Sequence, residues 1–251
     1  MPVKKLSIVI PCYNEAENIP LILDRFNAIL KPEYNIEVIL INNGSTDNSQ
    51  AVLDKLLPNY PFARTVLVPK NQGYGYGILQ GLREAKGDYI GWTHADMQTD
   101  PNDVVRAYEL LLQQTGLEQN KQNKNALLFI KGNRQGRPLF DVFFTAGMSC
   151  FETMFFGTIM HDINAQPNIF PRSFFEQWEN PPYDFALDLY AFYQAKKKKL
   201  KIIRFPVDFT PRLHGTSKWN TGLQSKIKFI KRTLKFSVEL KHKKSKGATN
   251  L

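Results

Sequence analysis

Four apolar runs that alternate with helical patterns constrain the fold of this chain more than any other feature. The apolar runs, which are typical of buried strands, lie at 6–11, 36–41, 64–69 and 88–93. Between them, apolar residues recur every three or four positions, which predicts helices. These helices are expected at 18–30, 48–57, 78–85 and 103–112. Strands that are apolar throughout and separated by helices predict a parallel sheet covered on both faces.

The second half of the chain has less regular periodicity. A polar, turn-rich stretch at 115–126 predicts a surface loop, and a strand and a basic turn follow it. Further helices are expected near 140–157, 184–196 and 223–240, with a strand at 201–207. Because no repeat and no convincing linker occurs, we predict one domain over 1–220 with halves at 1–114 and 115–220, and a basic helix and tail at 221–251.

Composition narrows the choice of partners and compartments. The net charge of +10 suits nucleic acid, an anionic membrane surface or phosphate-bearing small molecules. The two cysteines, Cys12 and Cys150, lack metal spacing, so a reducing cytosol is expected. The first apolar run is too short for a signal peptide. The most apolar stretch, 139–159, is interrupted by Asp141 and Glu152, so we predict no membrane span.

Polar or glycine-rich segments follow each of the first four strands. They lie at 12–15, 42–47, 70–76 and 94–100. In open parallel sheets, ligands bind at the carboxyl ends of the strands. Four such segments on one edge of the sheet therefore predict a ligand site.

The motifs in these segments resemble those of the family 2 glycosyltransferases with the GT-A fold. The matching stretches are "SIVIPCYNEAENI", "INNGSTDNS", "NQGYGYGILQGLREAKGDYI", "HADMQ" and "FPVDFTPRLHGTSKW". The closest likeness is to the polyprenyl-phosphate (dolichyl-phosphate) mannose and glucose synthase group, over roughly residues 6–220. The resemblance implies an α/β GT-A fold, in which a Rossmann-like nucleotide-binding sheet flanked by helices continues into a smaller acceptor-binding half. It also implies inverting, metal-dependent sugar transfer from a nucleotide-sugar donor.

The resemblance implies a nucleotide-sugar site built from the strand-end segments. Asn14 and Glu15 also suit helix capping, and both roles are compatible. Asn42 and Asn43 replace the acids usual in the family, which leaves the identity of the nucleotide open. The implied nucleotide-sugar-binding residues are Pro11, Tyr13, Asn14, Glu15, Asn42, Asn43, Asn71, Gly73, His94, Ala95 and Asp96.

The "HADMQ" stretch resembles the metal motif of the family. A Mg²⁺ or Mn²⁺ ion would neutralise the donor diphosphate as the sugar leaves, and such hard cations prefer oxygen ligands. Asp96 is the first choice of ligand, although an Asx-type turn residue is an alternative for it. Gln98 would point the same way if the backbone were extended. His94 replaces the first acid of the motif and is a third candidate, so we hypothesise weaker metal affinity and a preference for manganese.

Basic residues in two later loops predict a site for several phosphates, because arginine forks suit phosphate oxygens. By resemblance, phosphate and acceptor binding is assigned to Arg134, Arg137, Gln166, Arg212 and Lys218, although solvated basic loops are an alternative.

Asp184 and Asp188 are the candidate catalytic base or acceptor-positioning residues. Their spacing would put them on one face of a helix. A hydroxyl acceptor needs a base, whereas a phosphate acceptor is already ionised at neutral pH.

The C-terminal stretch is rich in lysine and aliphatic residues. Ile227, Ile230, Leu234 and Val238 share one helical face, which is typical of an interfacial helix on an anionic leaflet. An ordinary amphipathic helix docked on the core is the alternative. We therefore expect a cytoplasmic protein that associates peripherally with the inner face of the cytoplasmic membrane.

The leading hypothesis is transfer to a polyprenyl phosphate. The alternatives are extension of a cell-surface glycan at a hydroxyl group, or a degenerate protein that only binds sugar nucleotides. Nucleotidyl transfer is disfavoured, because "PCYNEAEN" is acidic where a basic glycine-rich signature would be required. Charge alone suggests nucleic acid, and no nucleic-acid partner is expected.

Overall fold

Seven strands form one sheet in the part of the chain described by the computed structural model, which comprises residues 5–119, 127–137, 139–214 and 223–246. Each of the strands predicted from an apolar run is present. The strands are β1 (Leu6–Cys12), β2 (Ile36–Asn43), β3 (Ala63–Val68), β4 (Tyr89–Trp92), β5 (Leu128–Gln135), β6 (Asn168–Pro171) and β7 (Lys201–Asp208).

The sheet has the order β3-β2-β1-β4-β6-β5-β7. The first four strands pair in parallel, as their alternation with helices predicts. The second half of the chain adds β6, which runs antiparallel to both β4 and β5. This strand has only four residues and no regular pattern around it, so periodicity did not predict it.

Eight helices accompany the sheet in the described residues, with a 3₁₀ turn at Leu57–Asn59. Three of them are longer than predicted, since α3 begins earlier, α4 continues through the first residues of the predicted loop and α8 ends six residues later. The division at 114/115 therefore falls inside a helix. The helices are α1 (Asn18–Ile29), α2 (Ser49–Leu56), α3 (Tyr74–Glu84), α4 (Asn102–Gln119), α5 (Leu139–Phe156), α6 (Arg172–Phe175), α7 (Ala186–Lys197) and α8 (Leu223–Lys246).

Each face of the sheet has its own hydrophobic core, which explains why the central strands are apolar throughout. On one face, Val9 and Ile41 are buried in the core that includes α3 and α7. On the other, Ile8 and Leu40 are buried with α1 and α4. Alternate residues of one strand thus enter opposite cores, and the helices leave the carboxyl ends of β1–β4 to the loops that follow them.

The C-terminal helix packs on the protein in its described part. Ser237 and Leu240 are buried, Ile230 and Leu234 are half-buried, and Val238 is exposed. The docked-helix alternative accounts for Ile230 and Leu234 but not for the exposed Val238, while the side chain of the predicted Ile227 lies outside the described residues. Among the helices of the described ranges, none is long and apolar enough to cross a membrane.

Candidate active site

Hydrogen bonds join the strand-end segments at one edge of the sheet. The backbone N–H of Asn14 donates to Ser45 Oγ at 3.0 Å, and the N–H of Thr46 donates to Asn14 Oδ1 at 2.8 Å. Gly44 has a φ of 70°, and a Cβ on it would lie 2.4 Å from the backbone nitrogen of Asn71. The loops after β1, β2 and β3 are therefore in direct contact, as the sequence predicts.

The segment after β1 begins α1 as well as reaching this edge. The carbonyl of Glu15 accepts the N–H groups of Asn18 and Ile19, and its carboxylate accepts from Asn18 Nδ2 at 2.5 Å. Burial raises the pKa of Glu15, and this hydrogen bond opposes the shift. The N-cap residue of α1 is Glu17, so Glu15 contributes only its backbone carbonyl to the N–H groups of the first turn. Pro11 is the next-to-last residue of β1 and Tyr13 directly follows the strand, so both lie at the predicted edge.

The asparagines that replace the family's acids form hydrogen bonds at this edge of the sheet. The amide of Asn42 accepts from Ser45 N at 3.0 Å and donates to Gln50 Oε1 at 2.7 Å. Asn43 Nδ2 donates to the carbonyl of Gly73 at 3.0 Å. Asn43 Oδ1 is buried and has no hydrogen-bond partner among the described residues, which leaves it as an acceptor for a ligand. Asn71 Oδ1 accepts the N–H of Gly73 at 2.8 Å and shapes the same loop.

Asp96 is buried in the loop after β4 and pairs with Arg212, one of the predicted phosphate-binding residues. Arg212 Nη2 lies 2.7 Å from Asp96 Oδ2, while Asp96 Oδ1 accepts the N–H of Gln98 at 3.2 Å. Met97 has a φ of 56°, so the backbone turns here and is not extended as the Gln98 prediction assumed. Gln98 Nε2 instead donates to the carbonyl of Thr210 at 3.2 Å.

His94 is half-buried beside Ala95 at the start of this loop. Burial lowers the pKa of His94, and the Asp96 and Asp188 carboxylates oppose the shift. The imidazole is therefore neutral at pH 7. Within the described ranges, no group of three or more His, Cys, Asp or Glu side chains could hold a metal. A Mg²⁺ ion that binds through one carboxylate and substrate phosphates still fits Asp96.

Two other acids near this edge have structural roles. Asp100 forms a paired contact with Arg25, with two N–O distances of 2.9 Å, and accepts the N–H of Asn102 at the start of α4. Asp47 Oδ1 accepts the N–H of Ser49 at 2.9 Å, although the N-cap residue of α2 is Asn48. Asp96 is thus the acid of its loop that pairs with Arg212.

The buried carboxylate of Asp162 gathers the predicted Arg134 and Arg137. Arg134 Nε donates to Asp162 Oδ1 at 2.9 Å, and Arg137 Nη2 lies 3.8 Å from the same oxygen. Arg204, which the sequence did not single out, lies 3.9 Å from Asp162 Oδ2. Burial opposes ionisation of Asp162, but Arg134 and Arg137 outweigh it and lower its pKa to about 2. The cluster retains excess positive charge, which suits a phosphate.

Asp188 lies at the centre of a buried polar network. Its Oδ1 accepts from Asn168 Nδ2 at 3.0 Å, Trp92 Nε1 at 3.3 Å and Gln166 Nε2 at 3.4 Å. The fully buried Lys131 donates to Asn168 Oδ1 at 2.7 Å. Burial raises the pKa of Asp188, and Lys131 and His94 oppose the shift. Burial lowers the pKa of Lys131 to about 7.

Asp184 does not share a helix face with Asp188, so that expectation is wrong. It precedes α7, where its Oδ1 accepts the N–H of Ala186 at 2.9 Å. Its Oδ2 lies 3.2 Å from Nε of Arg232 on α8. The i, i+4 relation fails because the helix begins only at Ala186, between the two acids.

The last acceptor candidates occupy different environments. Gln166 is fully buried, and its Nε2 donates to the hydroxyl of Tyr74 at 2.5 Å. Its Oε1 is buried with no hydrogen-bond partner in the described part of the chain. The role of Gln166 in acceptor binding stays a prediction. Lys218 lies outside the described residues. Sequence reasoning missed Asp162, although an isolated acid in "TIMHDIN" was a usable signal.

Known proteins resemble this chain in part of its sequence and in its fold. The family model Glycosyl transferase family 2 matches residues 7–118. The Undecaprenyl-phosphate 4-deoxy-4-formamido-L-arabinose transferases of Yersinia pestis (strain Pestoides F) and Yersinia pseudotuberculosis serotype O:3 (strain YPIII) are each 38% identical over 110 residues. The match covers 42% of this chain and 33% of each relative, so the chain spans about a third of the length of these relatives.

Two solved structures resemble the whole fold. Glucosyl-3-phosphoglycerate synthase from Mycobacterium tuberculosis, in complex with Mn²⁺ and UDP-glucose, has a TM-score of 0.67 at 16% identity and covers 93% of this chain and 79% of its own. A mannosyltransferase from Pyrobaculum calidifontis, in complex with GDP-Man and Mn²⁺, has a TM-score of 0.60 at 19% identity, over 85% of this chain and 58% of its own. The expected α/β glycosyltransferase fold is confirmed. The match to the family model covers β2–β4, nearly all of β1 and the loops that follow these strands.

Proposed function

We propose that this protein is an inverting, metal-dependent glycosyltransferase that moves a sugar from a nucleotide-sugar donor to a polyprenyl phosphate. The choice of a phosphate acceptor rests on the contacts that the two candidate bases already make. Three N–H donors contact Asp188, and Asp184 precedes α7, accepts the N–H of Ala186 and pairs with Arg232. Neither carboxylate is placed to take a proton from a hydroxyl group. An ionised phosphate needs little or no base.

The donor would bind where the strand-end loops meet. Asn43 Oδ1, a buried atom that accepts no hydrogen bond from the described residues, would accept one from the nucleotide. Asp96 would hold a Mg²⁺ or Mn²⁺ ion, with His94 and Gln98 in the same loop as further candidates. When bound, the ion would supply charge neutralisation for the leaving diphosphate. Arg212, which pairs with Asp96 at 2.7 Å, is within reach of the same diphosphate.

The acceptor phosphate would bind at the arginine cluster. Asp162 holds Arg134 and Arg137 close together, and one carboxylate cannot neutralise both of them and Arg204. The remaining charge favours an anionic group with several oxygens. The names of the Yersinia relatives, which act on undecaprenyl phosphate, support a lipid phosphate. We further propose peripheral association with the inner face of the cytoplasmic membrane, since the chain carries a net charge of +10.

A transfer assay tests this proposal. The purified protein would be incubated with a panel of sugar nucleotides, Mn²⁺ or Mg²⁺, and either polyprenyl phosphate or a hydroxyl-bearing glycan. We expect a glycolipid product from the polyprenyl phosphate. Absence of both transfer and donor hydrolysis with every donor would contradict the proposal, and binding of a donor without turnover would identify the degenerate alternative.

Two carboxylates in one loop provide a matched pair for the metal assignment. Asp96→Asn should lower transfer by at least about a hundredfold, because charge stabilisation at the leaving group is lost. Asp100→Asn should keep most activity, since asparagine also begins helices well and Asp100 pairs with Arg25 instead. Equal activity of the two variants would contradict the role of Asp96.

A further inference from the structure

Helix α5 differs from an ordinary surface helix, because its inner face carries several polar side chains besides Phe156, which packs on the core. Thr145 Oγ1 accepts from Arg137 Nη1 at 2.9 Å, and Ser149 Oγ accepts the N–H of Asp162 at 3.3 Å. One turn further on, the fully buried Glu152 accepts from Ser237 of α8 at 2.8 Å. The side of α5 that touches the protein is therefore held by hydrogen bonds.

The outer face of α5 is apolar. Phe143 and Met154 have 78% and 79% of their surface exposed, and Phe151 is exposed between them. Their positions recur at helical spacing, so they lie on one face. The exposed residues on this face, all uncharged, are Phe143, Ala146, Gly147, Cys150, Phe151 and Met154. Ile159, just beyond the end of the helix, is also 70% exposed.

Such a surface is unfavourable in water. A surface helix normally turns its apolar side to the core and its polar side to the solvent. Single exposed apolar residues are common, but a continuous apolar patch marks an interaction surface. The polar groups of α5 are already satisfied inside, so the helix cannot reverse its orientation without breaking those hydrogen bonds.

One basic residue of α8 lies beside this face. Lys241 Nζ donates to the carbonyl of Phe155 at 2.7 Å and sits 4.4 Å from the centre of its ring. Lys231 and Lys235 are exposed elsewhere on the same helix. An apolar face with a lysine beside it matches an interfacial helix on anionic lipid, where acyl chains take the apolar side chains and headgroups attract the lysine.

We propose that the outer face of α5, defined by Phe143, Phe151 and Met154, docks on the surface of an anionic lipid bilayer. The sequence suggested that the apolar face of α8 would do so, whereas Ile230 and Leu234 of that face are half-buried and α5 carries more of the exposed apolar side chains. The opposite side of α5 holds Arg137 through Thr145. If the proposed function holds, docking would therefore place the arginine cluster about one helix diameter, roughly 10 Å, from the lipid surface.

Vesicle co-sedimentation of the full chain tests the docking. We expect binding to vesicles of equal parts phosphatidylglycerol and phosphatidylcholine, and weaker binding to phosphatidylcholine alone. The double variant Phe143→Ser/Met154→Ser should bind the anionic vesicles at least about tenfold more weakly, because two large apolar side chains no longer leave water. The control Leu67→Ser removes a comparably exposed side chain from β3, at one end of the sheet, and should bind like the wild type.

Two results would overturn the proposal. One is equal binding of the wild type and the double variant to anionic vesicles. The other is a wild-type dimer in light scattering that the double variant loses, with no vesicle binding, which would assign the face to a second copy. Urea unfolding of the double variant should match the wild type, since both side chains are largely exposed.

A transfer assay with two acceptors separates docking from the proposed function. The double variant should transfer sugar to a water-soluble, short-chain polyprenyl phosphate as the wild type does, and lose transfer to a long-chain acceptor in vesicles. If neither the wild type nor the double variant transfers sugar but vesicle binding depends on Phe143 and Met154, the proposed function fails and the docking stands. Equal transfer to both acceptors by the variant overturns the docking.

Discussion

At the scale of single residues, Asp162 organises the basic side of the site. Its carboxylate is almost completely buried and contacts three arginines, and it also accepts the backbone N–H of Arg134 at 2.8 Å. Burying a charge is costly unless it is paired and hydrogen-bonded. Removing one partner of such a group leaves the others buried without a counter-charge.

Asp162→Asn should therefore destabilise the fold. The amide keeps the shape of the side chain but leaves Arg134 and Arg204 without their anion. We expect a loss of about 3–5 kcal/mol in the free energy of unfolding, measured by urea denaturation at neutral pH. Lys235→Ala, at a side chain that is 80% exposed, should change that free energy by no more than about 0.5 kcal/mol. Similar small changes in both variants would contradict the role of Asp162.

The same substitution should change the response to acid. The pKa of Asp162 is about 2 in the folded protein, below its ordinary value of 3.8. A lowered folded pKa contributes stability above the unfolded value, and this contribution is lost as the pH falls from about 4 towards about 2. The wild type should lose stability over this range relative to Asp162→Asn. Parallel pH curves would exclude this linkage.

At the scale of secondary-structure elements, the contact between α5 and α8 contains a buried acid. Glu152 is fully buried and accepts a hydrogen bond from Ser237. Burial raises the pKa of Glu152 to about 7, and the Ser237 hydrogen bond opposes the shift. Because this pKa exceeds the ordinary value of 4.5, folding takes up a proton between these two values.

Glu152→Gln should alter the pH dependence of stability in the opposite direction to Asp162→Asn. A raised folded pKa contributes stability that is fully present below about pH 4.5 and lost as the pH rises through about 7. The variant and the wild type should be similarly stable near pH 4, whereas the variant should be the more stable at pH 8. Urea unfolding at both pH values checks this. The same difference in unfolding free energy between the wild type and the variant at pH 4 and pH 8 would contradict it.

At the scale of the whole molecule, the sheet joins the two predicted halves. Strand β4, from the first half, lies between β1 and β6, and β6 comes from the second half. Trp92 on β4 donates to Asp188 on α7. The centres of its ring and that of Trp178 are 6.5 Å apart. The site therefore depends on contacts that cross the division at 114/115.

A fragment that ends at Gln119 should fail to fold cooperatively. It retains β1–β4 but loses β6, so the edge of β4 and the apolar face around Trp92 are exposed. We expect no sigmoidal urea transition from the fragment. The full chain should unfold in one step, with circular dichroism and tryptophan fluorescence giving the same midpoint. A cooperative fragment would show that the first half folds alone.

Local patterns predicted much of this architecture. The first four strands, their parallel pairing and the site at their carboxyl ends follow from periodicity and from the known geometry of open sheets. Strand β6 was missed because four residues carry too little pattern. Asp184 was expected on a helix that begins only at Ala186, and Gln98 was expected on an extended backbone that in fact turns at Met97. The boundaries of elements are the least reliable part of such reasoning.

The sequence by itself determined the alternation of strands and helices, the family motifs and the types of side chain at the sheet edge, because each depends on neighbours along the chain. Only the tertiary structure decided which partners those side chains have. Asp162 meets Arg134 across 28 positions, and Asp96 meets Arg212 across a still longer separation. It also decided that α5 turns its apolar face outward, because hydrogen bonds from distant residues hold its polar side against the protein.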